Sequence, residues 1–337
     1  MKNINKNMKT ILITGVAGLL GNNLLRHLLS KGYNVIGIDN LFGGYKEFLP
    51  IDDRFKFYEY DLMNNEKISN LFNENKIDVV FHFAAYAAEG LSPFIRRFNY
   101  ENNVICSINI INECVKHDCK LIFTSSMAVY GNQKSPFIEN MPSVPMDPYG
   151  VAKYAVEMDI RLANEQFGLR YNIIRPHNVL GIYQNIWDKY RNVIGIFIRK
   201  VLNNEPILIY GDGEQTRAFS DVKYYIEPFE KLIDGFDSEV INIGADKYFT
   251  INEVANKVSE ISKKYGYNST IEYGEARHEV KHAYCDHEKA KNLLDFNDKT
   301  NIDDLIESMF IWYKEIPNKD IKKIDYEIEK NIYSYWK

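Results

Sequence analysis

The chain is poor in cysteine. Only four occur in 337 residues, Cys106, Cys114, Cys119 and Cys285, and none forms a C-x-x-C pair. Neither a disulfide-stapled fold nor a thiolate metal centre is expected; buried free thiols in a reducing compartment are. Positive charge is not in excess either. Forty-one basic residues stand against 46 acidic ones, a net charge of -5. That balance provides no broad basic face, so nucleic acid is not an expected partner. No apolar run is long enough to span a bilayer, and the opening run Met1 to Met8 is polar. Neither membrane insertion nor a secretory signal is expected, which points to a cytoplasmic protein. Internal repeats, low-complexity tracts and obvious linkers are also missing. What is left is an ordinary globular composition, 45% hydrophobic and 26% charged, in a chain long enough for two domains.

The first half alternates short apolar runs with helical patterns. Strands are predicted at 10–14, 33–38, 55–59, 78–83, 120–124 and 170–175, and helices at 19–30, 93–117 and 148–167. Such alternation implies an α/β fold, a doubly wound parallel sheet with its ligand crevice at the carboxyl ends of the strands. Past about residue 178 the pattern loosens. Helices are predicted near 190–203, 222–234, 250–264 and 301–315, and strands near 207–210, 239–243 and 270–273. The division expected is a dinucleotide-binding domain over 1–178 and a smaller α/β substrate-binding domain over 179–337. A segment near 219–243 is expected to return to the first domain.

Gly15, Gly18 and Gly21, spaced Gly-x-x-Gly-x-x-Gly, fall between the first strand and the first helix. Glycines there permit a tight turn and let backbone amides, including those of Leu19 and Leu20, approach a pyrophosphate at the helix start. Asp39 ends the second strand, 18 residues after Gly21, with Asn40 next. Its carboxylate can accept hydrogen bonds from ribose hydroxyls and would repel a 2'-phosphate, which favours NAD over NADP. Asp61 and Leu62 follow the third strand, where the acid either reaches an adenine amine or caps the next helix.

Tyr149 and Lys153 stand four residues apart in Asp147-Pro148-Tyr149-Gly150-Val151-Ala152-Lys153. Asp147 suits an N-cap and Pro148 the first helical position, so both side chains belong on one face of a helix start. A nearby ammonium favours the phenolate, which would equip the pair to take a proton from a hydroxyl.

With the glycine turn, Asp39 and Tyr149-x-x-x-Lys153 in this order, the chain resembles the extended short-chain dehydrogenase/reductases. Within them it is similar to the NAD-dependent nucleotide-sugar epimerase/dehydratase group, close to UDP-glucose 4-epimerases, from about residue 9 to 315. Phe81-His82-Phe83-Ala84-Ala85 resembles the family's strand end beside the dinucleotide. Asn102-Asn103-Val104 resembles a helix segment of the family, and Ser125-Ser126-Met127-Ala128-Val129-Tyr130-Gly131 its Ser-Ser-x-x-Val-Tyr-Gly motif. Arg175-Pro176-His177-Asn178 resembles the approach to the substrate, and Gly211 to Arg217 a loop whose arginine meets the diphosphate.

The resemblance implies Ser126, Tyr149 and Lys153 as the catalytic group, with Tyr149 as acid/base and Lys153 lowering its pKa. It implies NAD on the glycine turn, Asp39, Asn40, Asp61, Leu62, Ala84, Ala85, Asn102, Tyr149, Lys153 and Pro176. Ser126, His177, Asn178, Arg217 and Arg277 are implied to meet a UDP- or GDP-linked sugar, and helices 93–117 and 148–167 to form a homodimer. Met127 and Ala128 stand where the family's 4,6-dehydratases carry Asp and Glu. Hydride chemistry at C4 without dehydration is therefore expected, either a 4-epimerase or a C4 dehydrogenase acting, for example, on a GDP-linked heptose in surface polysaccharide biosynthesis.

There are departures. Tyr86 sits near where some 4-epimerases place a lysine, Arg277 is one residue off register, and Ala218 to Tyr225 lacks the usual Asp-Asp or Arg-Asp start to its helix. Two further readings compete. His278-Glu279-Val280-Lys281-His282 matches H-E-x-x-H, the pattern of a zinc hydrolase, but lacks a long apolar helix and a third ligand. No metal is expected. A non-catalytic NAD-binding regulator is opposed by the intact Ser126, Tyr149 and Lys153.

Overall fold

The computed structural model describes residues 9–277, 279–320 and 322–336. Strands β1 (Thr10–Thr14), β2 (Asn34–Asp39), β3 (Phe55–Glu59), β4 (Val79–His82), β5 (Lys120–Thr124) and β6 (Tyr171–Pro176) alternate with helices. The intervening helices are α1 (Leu19–Ser30), α2 (Asn65–Glu74), α3 (Arg96–Tyr100), α4 (Cys106–Lys116) and α5 (Pro148–Phe167). Beyond them follow β7 (Val179–Leu180), α6 (Val193–Leu202), β8 (Ile207–Tyr210), β9 (Thr216–Ala218), β10 (Ser220–Asp221), α7 (Lys223–Asp234) and β11 (Glu239–Ile243). The chain then forms β12 (Tyr248–Thr250), α8 (Ile251–Lys264), β13 (Ile271–Gly274), β14 (His282–Ala283), α9 (Glu288–Leu294) and α10 (Ile302–Lys314).

Seven strands build one sheet in the order β11-β6-β5-β4-β1-β2-β3. Every pairing in it is parallel. Ile11, Leu12 and Ile13 of β1 and Leu121, Ile122 and Phe123 of β5 are fully buried, as a sheet covered on both faces requires. One face packs on α1 and α7, where Leu24, Leu25 and Leu28 meet Phe229 and Leu232. The other packs on α2, α4 and α5 through Leu71, Ile110, Val156 and Ile160. The strand order reverses between β1 and β4, which opens a crevice at their carboxyl ends. A separate core joins α6, α8 and α10 through Phe197, Val254, Val258, Leu305 and Met309. β11 and α7 return from this second half to the main sheet.

One predicted element is not continuous. The helix expected over 93–117 is broken into a 3-10 turn (Ser92–Phe94), α3, a π-helical turn (Glu101–Ile105) and α4. The wide turn aims polar groups inward where a regular helix would place apolar ones. The Asn103 amide donates to the Tyr86 carbonyl at 3.2 Å and accepts from the Tyr86 N–H at 2.9 Å. Asn99 donates to the Pro148 carbonyl at 2.9 Å. These bonds fasten the segment after β4 to the start of α5. All four cysteines are buried and free. No described helix is long and apolar enough to cross a membrane.

Candidate active site

The strand ends open into a cleft of about 760 Å³, within the ~300–1,000 Å³ usual for small-molecule sites. Every residue the resemblance implies for NAD, sugar or catalysis lines it except His177. Gly15 has φ +70°, and a Cβ there would lie 2.8 Å from the Ala84 nitrogen. A Cβ on Gly21 would lie 2.3 Å from the Gly15 carbonyl oxygen. The β1–α1 turn therefore closes only with glycine at these positions, and it leaves backbone room for a pyrophosphate at the start of α1. Asp39 is buried and accepts from the Ala17 and Leu41 amides at 2.9 and 2.8 Å. Burial pushes its carboxyl up, against those two donors. Asp61 caps its own turn through the Met63 amide at 2.8 Å and accepts from Asn40 at 2.9 Å.

Asp147 caps α5 by accepting from the Gly150 amide at 2.9 Å, and Pro148 fills the first turn. Tyr149, Lys153 and Glu157 then rise along one face of α5. Lys153 donates to the Thr124 carbonyl at 2.8 Å and lies 5.8 Å from the Tyr149 ring centre. Burial pushes its ammonium down to about 7, against the pull of Glu157. The expected lowering of Tyr149 by Lys153 is not found. Burial raises the phenol, the negative charge of Glu89 adds to that, and the Ser126 hydroxyl opposes it. An ammonium that is itself poorly solvated cannot stabilise a phenolate against that desolvation. Ser126 starts a 3-10 turn by accepting from the Ala128 amide at 3.1 Å.

A buried ion pair supports this floor. Arg175 donates to both carboxylate oxygens of Glu157 at 2.8 and 2.6 Å, and the Ser125 hydroxyl donates to Glu157 at 2.5 Å. Thr124 Oγ1 and Asn178 Nδ2 are buried without a hydrogen-bond partner among the described residues, and both residues line the cleft. Such atoms are orphaned unless a ligand meets them. With the glycine turn and Asp39, they fit a dinucleotide and a polar second ligand.

Arg217 and Arg277 line the same cleft. Arg217 pairs with Glu279 at 2.8 Å. The Arg277 guanidinium lies 3.7 Å from the Tyr210 ring centre and 5.0 Å from that of Trp336. Its Nη2 is buried with no partner among the described residues.

His177 does not face the cleft. It is buried, with Nε2 2.8 Å from Nε2 of His287, whose Nδ1 meets Asp246 at 2.9 Å. Burial pushes it down to about 3. The contact with sugar expected of His177 is replaced by this buried pair, because Gly244 leaves room for its ring on the far side. His278 lies outside the described residues. Its proposed zinc partner His282 pairs instead with the Thr216 hydroxyl at 2.9 Å, and Glu279 is taken by Arg217. No group of three potential metal ligands occurs among the described residues.

Glu89, Thr124, Arg191 and Tyr210 also line the cleft and were not foreseen as site residues. Thr124 could have been found as the last residue of a strand before Ser125 and Ser126. Arg191 carries no local signal; it reaches the cleft by pairing with Asp188 at 3.0 Å and lying 4.9 Å over Tyr86. Tyr86 in turn donates to Asp188 at 3.1 Å, which anchors a phenol where some 4-epimerases place a lysine.

Residues 11–244 match the model of the NAD dependent epimerase/dehydratase family. A putative UDP-glucose 4-epimerase of Methanocaldococcus jannaschii is 34% identical over 290 residues, covering 84% of this chain and 92% of that one. The crystal structure of a Thermotoga maritima UDP-glucose 4-epimerase with UDP-glucose superposes with a TM-score of 0.85 at 29% identity, over 90% and 98% of the two chains. A Bacillus cereus UDP-glucuronic acid 4-epimerase, solved with UDP-glucuronic acid and NAD, gives 0.83 at 27%, over 91% and 100%. The glycine turn, the buried Asp39 and the Ser126, Tyr149 and Lys153 cluster thus stand in a chain that belongs to the NAD-dependent epimerase/dehydratase family.

Proposed function

We propose that the protein is a nucleotide-sugar 4-epimerase that works through a 4-keto sugar. The observation that carries this is the meeting of Tyr149, Ser126 and Lys153 with the dinucleotide turn in one cleft. Gly15, Gly18, Gly21 and Asp39 would hold NAD, with Lys153 at its nicotinamide ribose. NAD, when bound, supplies a hydride acceptor and donor at C4. Tyr149 takes the proton from the C4 hydroxyl and gives it back. Ser126 orients that oxygen by a hydrogen bond. Lys153, held by the Thr124 carbonyl, fixes the height of the phenol; its charge alone does not offset the burial of Tyr149, and the positive nicotinamide beside the pair would add the charge that favours the phenolate.

Met127 and Ala128 also line the cleft. Neither side chain moves a proton, which supports C4 chemistry without loss of water. Arg217 and Arg277 would meet the diphosphate, the first by exchanging Glu279 for phosphate. We assign NAD binding to residues 1–178 with β11 and α7, and substrate binding mainly to the remainder. The nucleotide is proposed to be UDP, as in the relatives named above, and the setting a cytoplasmic route to polysaccharide.

A homodimer is also proposed. Val151, Met158 and Leu162 of α5 are 40%, 46% and 51% exposed and share one helix face, with Ile105 of the π-helical turn 45% exposed nearby in the same layer. Incubation of the NAD-loaded protein with UDP- and GDP-linked sugars tests the main reading. Interconversion of C4 epimers without net NADH is the expected result. Net NADH would mark a C4 dehydrogenase, and no reaction with any donor would contradict both.

A further inference from the structure

Glu89 shares its part of the cleft with the charges that act on it, Asp147, Glu279 and Arg217; Lys153, Arg191 and Arg277 line the cleft as well but are held by the Thr124 carbonyl, by Asp188 and over the Tyr210 ring. Their partners divide them. Asp147 accepts from the Gly150 amide and faces the Ser92 hydroxyl at 3.5 Å. Glu279 holds Arg217 at 2.8 Å and accepts from Gln215 at 3.2 Å. The Glu89 carboxylate has no hydrogen bond or ion pair among the described residues, and its side chain is open to the cleft.

The loop that presents it is not loose. The Ser92 hydroxyl donates to the Glu89 carbonyl at 2.8 Å, and the Ser92 amide donates to the Ala88 carbonyl at 3.0 Å. The same Ser92 oxygen accepts from the Tyr149 amide at 3.2 Å. One serine thus fastens the backbone of Glu89 to the helix start that carries Tyr149. The cleft walls surround the carboxyl while leaving it reachable, and that enclosure, then the charge of Asp147, pushes it up to about 7, with Arg217 opposing and Glu279 adding.

We propose that Glu89 determines sugar specificity: its unpartnered carboxylate, in the same cleft as Tyr149, accepts hydroxyl hydrogens of a neutral sugar and repels a sugar that carries a carboxylate. This rests on the nucleotide-sugar reading above. A hydroxyl-rich donor supplies the protons that Glu89 lacks. A hexuronate brings a further anion up to Glu89, Asp147 and Glu279, where the cation that acts on Glu89, Arg217, is already paired with Glu279. The inference separates this chain from relatives that act on a glucuronic acid donor, although the fold and the Ser126, Tyr149 and Lys153 cluster alone do not.

The test is calorimetric binding at about pH 8.5, where Glu89 is ionised, to the NAD-loaded protein of two donor pairs, UDP-glucose with UDP-glucuronate and GDP-mannose with GDP-mannuronate. Within each pair the sugars differ only at C6. The wild type is expected to prefer the neutral donor by about 30-fold or more. In Glu89→Gln, which keeps size and loop geometry, the preference should shrink to within about threefold, with the uronate binding tighter and the neutral donor weaker. A preference unchanged in Glu89→Gln, or a wild type that favours the uronate, overturns the assignment. Turnover by the wild type is measured alongside. Turnover with an unchanged preference sinks the role of Glu89 alone, whereas no binding of any donor sinks the nucleotide-sugar reading with it.

Discussion

Lys153 and Tyr149 meet in a place that charges neither of them readily. Burial pushes Lys153 down to about 7 from an ordinary 10.5, and it raises Tyr149 as well. The unfolded chain therefore binds more protons than the folded one between those two Lys153 values. Stability of the cofactor-free protein should rise with pH across that window through this residue, and be lost as pH falls towards 7. Lys153→Met removes the effect. Thermal midpoints at pH 7 and pH 9 should diverge between wild type and variant, the wild type gaining at the higher pH; parallel midpoints would contradict the burial of a strained ammonium. At this scale the sequence was informative where chemistry is local. Tyr149, Lys153 and Ser126 were legible from spacing and motif, and the glycine turn from its place between strand and helix. The direction of the Tyr149 shift was not legible, because it depends on burial by packing from far along the chain and on the charge of Glu89. His177 was misplaced for a related reason: its partner His287 lies 110 residues away.

Among elements, α5 does the most. Asp147 and Pro148 start it, and Tyr149, Lys153 and Glu157 follow at four-residue steps on one face. The last step carries weight below the catalytic groups, since Glu157 is the buried partner of Arg175 and Ser125. Replacing one member leaves the other ion uncompensated, so Glu157→Ala should cost about 3–5 kcal/mol. Urea unfolding checks this, and a loss under about 1 kcal/mol would mean the pair is not buried as described. The sequence predicted α1, α5, β1, β3, β5, β8 and β11 at their observed bounds, because caps, glycines and apolar runs mark their ends. It did not predict the break within 93–117. Its cause is tertiary: Asn99 and Asn103 bond to the Pro148 and Tyr86 backbones across the layer. The short strands β7, β9, β10, β12 and β14 were also missed, as two or three residues carry no period to read.

The whole molecule joins two cores across one cleft, and the cleft joins residues from nearly the full length of the chain, Gly15 to Tyr333. The apolar stripe on α5 lies on the outer surface of the first core. If two copies pair through it, the double variant Met158→Glu, Leu162→Glu should be monomeric by light scattering at micromolar concentration while the wild type has twice its mass. A monomeric wild type would contradict the pairing. Composition and alternation made the layered α/β architecture legible at this scale, but not the contact of Arg277 with Tyr210 and Trp336, which depends on where the chain's last residues settle.

The central claim is that Tyr149 moves a proton while the hydride at C4 stays with the enzyme. It is tested most directly by following a neutral nucleotide hexose in heavy water by NMR, with wild type and Tyr149→Phe. The account predicts inversion at C4 with no deuterium at that carbon in the wild type. It also predicts turnover reduced by about 10²–10⁴-fold in the variant, with NAD still bound. Deuterium at C4, or near wild-type inversion without the Tyr149 hydroxyl, would contradict it.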